Sequence, residues 1–547
     1  MKKNLSYLAA LGVGVICAAL LFWLWTKDRE GALQQRAALA ATAAPAEATP
    51  ATTGTSPDLF TRTLLAALER LLTRADTRAR EGLLTFKDVA AYRRFLARAQ
   101  RSGLTILGQL DALRTVRVRY DAFSALRSDL LQNAADYTGV SANYVMTIPG
   151  PPPKDPRADV AAVPFGNRAL DYLGVDPAAP TRATWGQGVT IAVLDTGIAP
   201  DATFGANRLR SLDIGLGTAA GTGGEDGHGT AVASLAAGAA PDAPGVAPAA
   251  TLLSIRVTDA AGTSDLFTVA QAILAATDAG AKIINVSLGG YATSGALEAA
   301  IAYAGDHGSV IVAAAGNDQA AQLAWPAADA RVVSVGAVDA AEQQVAFSNA
   351  GPQLQITAPG YGAQTAWLDG QRAIVDGTSV SAPFVAGAIA AVLSQNPALT
   401  PQQAWQVLQQ TASNAGAPGD NPDYGHGILN LGWAMNRNDL TRIDTAVSNY
   451  YYDAANHQMD IVLQNRSALA VTGLTLALDA AGAGSTQPIP PLAAGATYVV
   501  KVPVDPAALA AAGSMKFVTQ LINPAGLIDA VPANNRRSSV LSAPPPK

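Results

Sequence analysis

Apolar positions along this chain fall into several patterns, each with its own period. Leu5 to Trp25 is one apolar run with no charged residue. At ~1.5 Å per helical residue it spans about 30 Å, the thickness of a bilayer's hydrocarbon core. Residues 26–57 are dominated by Ala, Thr, Pro and Gly, too poor in large apolar groups to build a core, and predict a flexible linker. Over 58–81, Leu64, Leu65, Leu68, Leu71 and Leu72 recur at helical spacing, predicting an amphipathic helix capped by Ser56 or Asp58 and running to Arg80.

Residues 82–149 alternate between the two periods. Leu83–Phe86, Leu104–Leu107, Thr115–Tyr120 and the Tyr144/Met146/Ile148 alternation predict strands. Val89 to Ala99 and Phe123 to Ala134 predict helices. The order β-α-β-β-α-β is that of a small α+β, ferredoxin-like sandwich. A proline-rich linker, 150–162, follows it.

From 163 to 437 the strands become continuous apolar runs: Val189–Leu194, Leu252–Val257, Ile283–Val286, Val310–Ala315 and Val332–Val338, with alanine-rich helices between several of them. Strands buried on both faces and alternating with helices predict an α/β domain with a mostly parallel sheet. Between 441 and 541 the period returns to two, at Met459/Ile461/Leu463, Leu474/Leu476/Leu478, Tyr498/Val500/Val502 and Phe517/Thr519/Leu521. This predicts an antiparallel β-sandwich.

Composition changes this picture little. A net charge of −5 over 547 residues gives no reason to expect a nucleic-acid partner. The single cysteine, Cys17, excludes an intrachain disulfide. At the N-terminus charge is more informative. Lys2 and Lys3 before the apolar run, with Trp23 and Trp25 at its far edge, fit a membrane segment whose N-terminus stays in the cytoplasm. The rest of the chain would then lie outside, anchored in the cell membrane or released into the medium. A cleaved signal peptide is the rival reading, but its apolar core would be shorter.

Three segments of the α/β region carry chemistry. Asp195-Thr196-Gly197 ends one buried strand. Asp226-Gly227-His228-Gly229-Thr230 and Gly377-Thr378-Ser379-Val380-Ser381-Ala382-Pro383 each open a helix. Functional groups of an α/β sheet gather at strand carboxyl ends and the helix starts that follow. A serine hydroxyl needs a base to take its proton and a carboxylate to orient that base, roles that Asp195, His228 and Ser379 supply. Taken singly, each has a plain structural role as a cap or a loop residue. In the order Asp, His, Ser on this topology they form a candidate triad. Asn317, closing Ala313-Ala314-Ala315-Gly316-Asn317 at another strand end, is the candidate donor to an oxyanion, helped by the Ser379 N–H.

These motifs, D-T-G at Asp195, H-G-T-x-V-A from His228, A-A-G-N ending at Asn317 and G-T-S-x-x-x-P from Gly377, resemble those of the subtilisin-like serine peptidases over 163–437. Val380 stands where that family usually has Met. The resemblance implies a subtilisin-like fold and a serine endopeptidase working through an acyl-enzyme on polypeptide substrates. It implies that Ser287-Leu288-Gly289 and Gly262-Thr263-Ser264 flank the bound peptide, with an apolar pocket for the residue before the scissile bond. No cofactor is required; many relatives bind calcium, but 238–245 lacks the family's asparagine-bearing insertion, so calcium stays unassigned and no metal ligand is named. Residues 82–149 resemble the family's inhibitory propeptide, an intramolecular partner removed by self-cleavage between Pro149 and Val163. The 441–541 segment resembles bacterial adhesion-type sandwich modules, notably at Ile528 to Asn535. The competing function is a catalytically silent surface-binding protein on a peptidase scaffold. A maturation protease that cuts a single partner is also left open.

Overall fold

The computed structural model describes residues 59–149, 162–205, 208–220, 226–259 and 261–543. The apolar run at 5–25, the linker at 26–57, the caps Ser56 and Asp58, and the linker up to residue 161 lie outside the described residues.

The first helix runs from Leu59 to Leu72, eight residues short of the expected end at Arg80. The apolar stripe stops at Leu72. The Thr77 hydroxyl donates to the Arg74 carbonyl at 2.7 Å, and the backbone turns. Residues Thr77–Phe86 form β1 instead, an interior strand whose backbone groups are paired on both sides while Leu83, Leu84 and Phe86 are buried. Next come the helix Val89–Arg98, β2 (Leu104–Leu110), β3 (Thr115–Tyr120), the helix Phe123–Gln132 and β4 (Tyr137–Thr147). The expected β-α-β-β-α-β order is present, with antiparallel strand order β2-β3-β1-β4. Leu84, Phe86, Phe95, Val116, Val118 and Leu126 fill the space between sheet and helices.

The α/β region is built on seven strands: β5 (Thr190–Asp195), β6 (Leu209–Ser211), β7 (Thr251–Arg256), and, after the short β8 (Thr263–Asp265), β9 (Ile283–Val286), β10 (Val310–Ala314), β11 (Val333–Val338) and β12 (Ile356–Pro359). Their order is β12-β11-β10-β9-β5-β7-β6, all pairs parallel. Helices cover both faces. His228–Ala237 and Thr378–Gln395 pack in one apolar cluster with Ile191, Val193 and Val312. Leu266–Asp278 and Gly295–Asp306 pack in another with Leu194, Ile284 and Ile311. Of the described helices, only Thr378–Gln395 is long and apolar enough to cross a membrane, and it is buried in this core. A hairpin, β13 (Ala363–Ala366) with β14 (Arg372–Val375), lies after the sheet.

The C-terminal region consists of two antiparallel sheets. One holds β15 (Thr445–Asp453), β16 (Gln458–Asn465) and β19 (Thr497–Pro503); the other holds β17 (Thr475–Ala480), β18 (Ala483–Pro488), β20 (Ser514–Ile522) and β21 (Arg536–Ser542). Ile461, Leu463, Leu476, Val500, Phe517 and Leu521 share one apolar cluster between them.

The N-terminal sheet does not stop at β4. β8 adds to it antiparallel, with Val145, Met146 and Thr147 opposite Asp265, Ser264 and Thr263. Leu83, Leu110, Leu113, Met146 and Ile148 join the apolar cluster of the 266–278 and 295–306 helices. Phe267 lies so close over Gly108 that a Cβ there would meet its ring at 2.7 Å. Burying a Phe267 or a Met146 contributes about 1.5–3 kcal/mol each.

Candidate active site

Asp195 ends β5, the strand between β7 and β9, and is fully buried. Its Oδ1 accepts from the Thr196 N–H at 2.8 Å, which fixes the carboxylate's orientation. Both carboxylate oxygens lie near His228 Nδ1, at 2.9 and 3.0 Å. With Nδ1 protonated and donating, Nε2 is left as an acceptor, and it lies 3.1 Å from Ser379 Oγ. The three residues that the sequence singles out therefore form one hydrogen-bonded line.

Local packing explains how each end of that line is held. His228 is the first residue of the 228–237 helix. The next position must be glycine, since a Cβ on Gly229 would come within 2.3 Å of the Gly197 carbonyl. The Gly229 N–H donates to Thr196 Oγ1 at 3.0 Å, and that hydroxyl donates to the Asp226 carbonyl at 3.0 Å, tying the histidine helix to the aspartate loop. Ser379 is the second residue of the 378–395 helix. Gly377 before it has φ 138°, a conformation that disfavours any side chain.

Asn317 follows β10. Its Oδ1 accepts from the Thr378 N–H at 2.9 Å and from the Thr378 hydroxyl at 2.8 Å. Its Nδ2 is buried without a hydrogen-bond partner. A Cβ on Gly377 would be 3.0 Å from both Asn317 Nδ2 and Ser379 Oγ, so the amide and the hydroxyl flank the same small space. A buried donor left unmatched is costly unless a group arrives to accept from it. An oxyanion formed at a carbonyl attacked by Ser379 would be such a group.

Asn349 holds this loop, and it is not among the residues that the sequence singles out. Its Oδ1 accepts from the N–H groups of Asp318 (3.0 Å) and Ala320 (2.9 Å), and its Nδ2 donates to the Ala315 carbonyl (3.1 Å) and to the Tyr291 hydroxyl (2.8 Å). Tyr291 in turn donates to Asp318. Partial burial, then that hydrogen bond, raises the Tyr291 hydroxyl above the ordinary phenol range. No signal in the sequence marks Asn349, because its partners, backbone groups of another loop and the Tyr291 hydroxyl, are distant along the chain.

Of the expected peptide-flanking residues, Ser287 donates from Oγ to the Ser379 carbonyl at 2.9 Å. Leu288 is buried in the cluster of the 266–278 helix. Gly289 exchanges two backbone bonds with Thr147: the Thr147 N–H donates at 3.0 Å and the Gly289 N–H at 3.1 Å. On the other side the Ile148 N–H donates to the Gly262 carbonyl at 3.4 Å, while Thr263 and Ser264 pair with β4 through β8. The end of β4 is thus threaded between the two segments. Polar contacts reinforce it: Arg78 and Arg117 reach the buried Asp265 at 3.2 and 3.3 Å, and Asn143 Oδ1 accepts from the Phe267 N–H at 3.2 Å. Among the described residues no group of three or more His, Cys, Asp or Glu could hold a metal ion.

Residues 186–427 match the Subtilase family (Peptidase_S8). Subtilisin DY of Bacillus licheniformis is 38% identical over 160 residues, covering 28% of this chain and 57% of the relative. The thermostable alkaline protease of Halalkalibacterium halodurans is 37% identical over 172 residues, covering 31% and 47%. The chain thus spans about half the length of these relatives. Among solved structures, the epidermin leader peptide processing serine protease (EpiP) of Staphylococcus aureus is similar in fold. Its TM-score is 0.53 at 22% identity, over 65% of this chain and 97% of that one.

Proposed function

We propose that this chain is a subtilisin-like serine endopeptidase made as a zymogen, with Asp195, His228 and Ser379 as its catalytic triad. The observation that carries the reading is the continuous hydrogen-bonded line from the Asp195 carboxylate through His228 to Ser379 Oγ, beside an unmatched Asn317 amide. His228 Nε2 takes the hydroxyl proton as Ser379 attacks the scissile carbonyl, and returns it to the leaving amine. Asp195 keeps Nδ1 protonated and stabilises the imidazolium. Asn317 Nδ2 and the Ser379 N–H receive the oxyanion. Water then hydrolyses the acyl-enzyme by the same proton route.

Substrate binds as an added strand between 262–264 and 287–289. Backbone pairing there gives affinity for any extended peptide, and pockets set preference. With Ala313–Gly316 on the wall facing Ser287–Gly289, the residue before the scissile bond is large and apolar or aromatic; equal cleavage after Lys or Arg would contradict this. Residues 82–149 act as the intramolecular inhibitor, since the end of β4 already makes the backbone bonds a substrate would need. Self-cleavage falls between Pro149 and Val163. The 5–25 segment carries the peptidase domain outside the cytoplasm, where it stays anchored or is released on processing. No cofactor takes part in this mechanism.

The test is the Ser379→Ala chain. It should lose peptide hydrolysis by about 10⁶-fold, the loss in kcat that follows removal of the serine nucleophile from subtilisin. It should also run on a denaturing gel as an unprocessed precursor. Wild-type and variant chains of equal size and equal activity would refute the reading.

A further inference from the structure

Where the C-terminal sandwich meets the peptidase domain there is a pocket of ≈ 340 Å³, lined by Tyr172, Trp433, Arg442, Arg466, Arg536 and Arg537 among others. It belongs to neither the triad nor the peptide groove. Its lining sets four arginines against three carboxylates, Asp171, Glu342 and Asp444. Arg442 pairs with Asp444 at 3.2 Å and Arg537 with Glu342, but Arg466 and Arg536 have no carboxylate partner among the described residues.

Arg466 is the informative group. It is partly buried, its guanidinium lies 5.8 Å from the centre of the Trp433 ring, and Nη2 donates to Ser413 Oγ at 2.9 Å, Gln464 Oε1 at 3.2 Å and Ser448 Oγ at 3.3 Å. Those bonds fix the plane of the fork from one side only. Nε is buried without a partner, as is the hydroxyl of Tyr172, which also lines the pocket. Burial draws the guanidinium below its ordinary value, and the charge of Asp444 opposes this. A partly buried cation that lines a cavity and has Nε unmatched is stabilised by an anion that enters the cavity.

We propose that this pocket binds a small organic oxyanion, with Arg466 as the principal donor, Tyr172 beside it and Arg536 at the mouth. The volume lies at the lower end of ligand pockets, which suits a phosphate monoester or a small carboxylic acid rather than a polymer. The shared chemistry is an oxyanion gripped by a guanidinium fork. Occupancy would couple the sandwich to the peptidase domain, since Trp433 and Ser413 lie on one side of the pocket, Ser448 and Arg466 on the other.

The experiment is isothermal titration of the full-length Ser379→Ala chain at constant ionic strength with inorganic phosphate, glycerol 3-phosphate, citrate and, as control, chloride. The result expected is one saturable site for at least one oxyanion and none for chloride, weakened at least about tenfold in Arg466→Met, the loss expected for a charge-assisted contact. Arg536→Gln, at an exposed position, and Tyr172→Phe keep the test decisive if Arg466→Met does not fold: each should weaken the same site severalfold. Comparison of the phosphate, ester and carboxylate arms identifies the carrier. No saturable heat with any oxyanion, or equal affinities in wild type and variants, would overturn the proposal.

Discussion

Thr147 and Gly289 exchange both of their backbone hydrogen bonds, at 3.0 and 3.1 Å, joining the last strand of the N-terminal domain to the segment that ends two residues after Ser287. Antiparallel continuation of that pairing carries the chain from Thr147 toward Ser287, whose hydroxyl donates to the Ser379 carbonyl. The end of the N-terminal domain therefore occupies the place proposed for a bound peptide.

Gly108 is a tight packing point of the docked domain, with the Phe267 ring 2.7 Å from a Cβ placed there. Its backbone is not in the left-handed region, so Gly108→Leu meets a neighbour rather than a strained φ. The variant should dock less tightly and shorten the lag before peptidase activity appears in freshly purified full-length protein. A progress curve with a chromogenic peptide reads this directly. An unchanged or longer lag counts against an inhibitory role for residues 82–149.

Arg78 and Arg117 both address Asp265, which also caps the 266–278 helix through the Thr268 N–H at 2.9 Å. Asp265→Asn keeps a capping oxygen and removes the charge. It should weaken inhibition by the N-terminal domain more than it lowers the thermal midpoint. Comparing lag time with melting temperature separates the two effects.

Asn317→Ala should reduce kcat by about 10²–10³ with little change in KM, because the amide meets charge that exists only in the transition state. Asn349→Ala acts one step further out. It leaves the Asp318 and Ala320 N–H groups unmatched, and should lower both kcat and the melting temperature, where Asn317→Ala lowers mainly kcat. A KM change that accounts for the whole loss in Asn317→Ala would contradict the oxyanion role.

Arg182 is about 6% exposed and gives its guanidinium to the carbonyls of Pro177 (3.0 Å), Gly238 (3.3 Å) and Gly245. The loop after the histidine helix thus has its carbonyls satisfied by a cation of the chain itself. Arg182→Met strands the Pro177 and Gly245 carbonyls, while that of Gly238 keeps the Gly245 N–H at 2.8 Å, and should cost about 1–3 kcal/mol, seen as a lower urea midpoint. Adding a chelator to the wild type should leave its midpoint unchanged; a large fall would mean that a metal ion shares the task.

How far each residue is legible in the sequence depends on where its partners lie. Asp195, His228, Asn317 and Ser379 each sit in a short motif of glycines and small residues, because another segment approaches the backbone beside each one closely. Asn349 and Arg182 do their work through distant backbone carbonyls and amides, which leave no local pattern. The parallel strands β5, β7, β9, β10 and β11 read clearly as continuous apolar runs. β6 and the β13–β14 hairpin do not, being short and partly polar; nor does β18, whose six residues are all exposed. The helix beginning at Leu59 ends before its composition would suggest, because Arg and Glu suit a helix surface and a strand edge equally well. Only the pairing of β1 with β3 and β4 decides between them.

Whether Ser379 is the nucleophile is read most directly by labelling the processed protein with a serine-directed fluorophosphonate, followed by mass spectrometry of the peptide that carries the label. The expected result is one label per chain, on Ser379, absent from Ser379→Ala and strongly reduced in His228→Ala. Labelling that persists in Ser379→Ala, or its absence from wild-type protein freed of residues 82–149, would contradict the assignment.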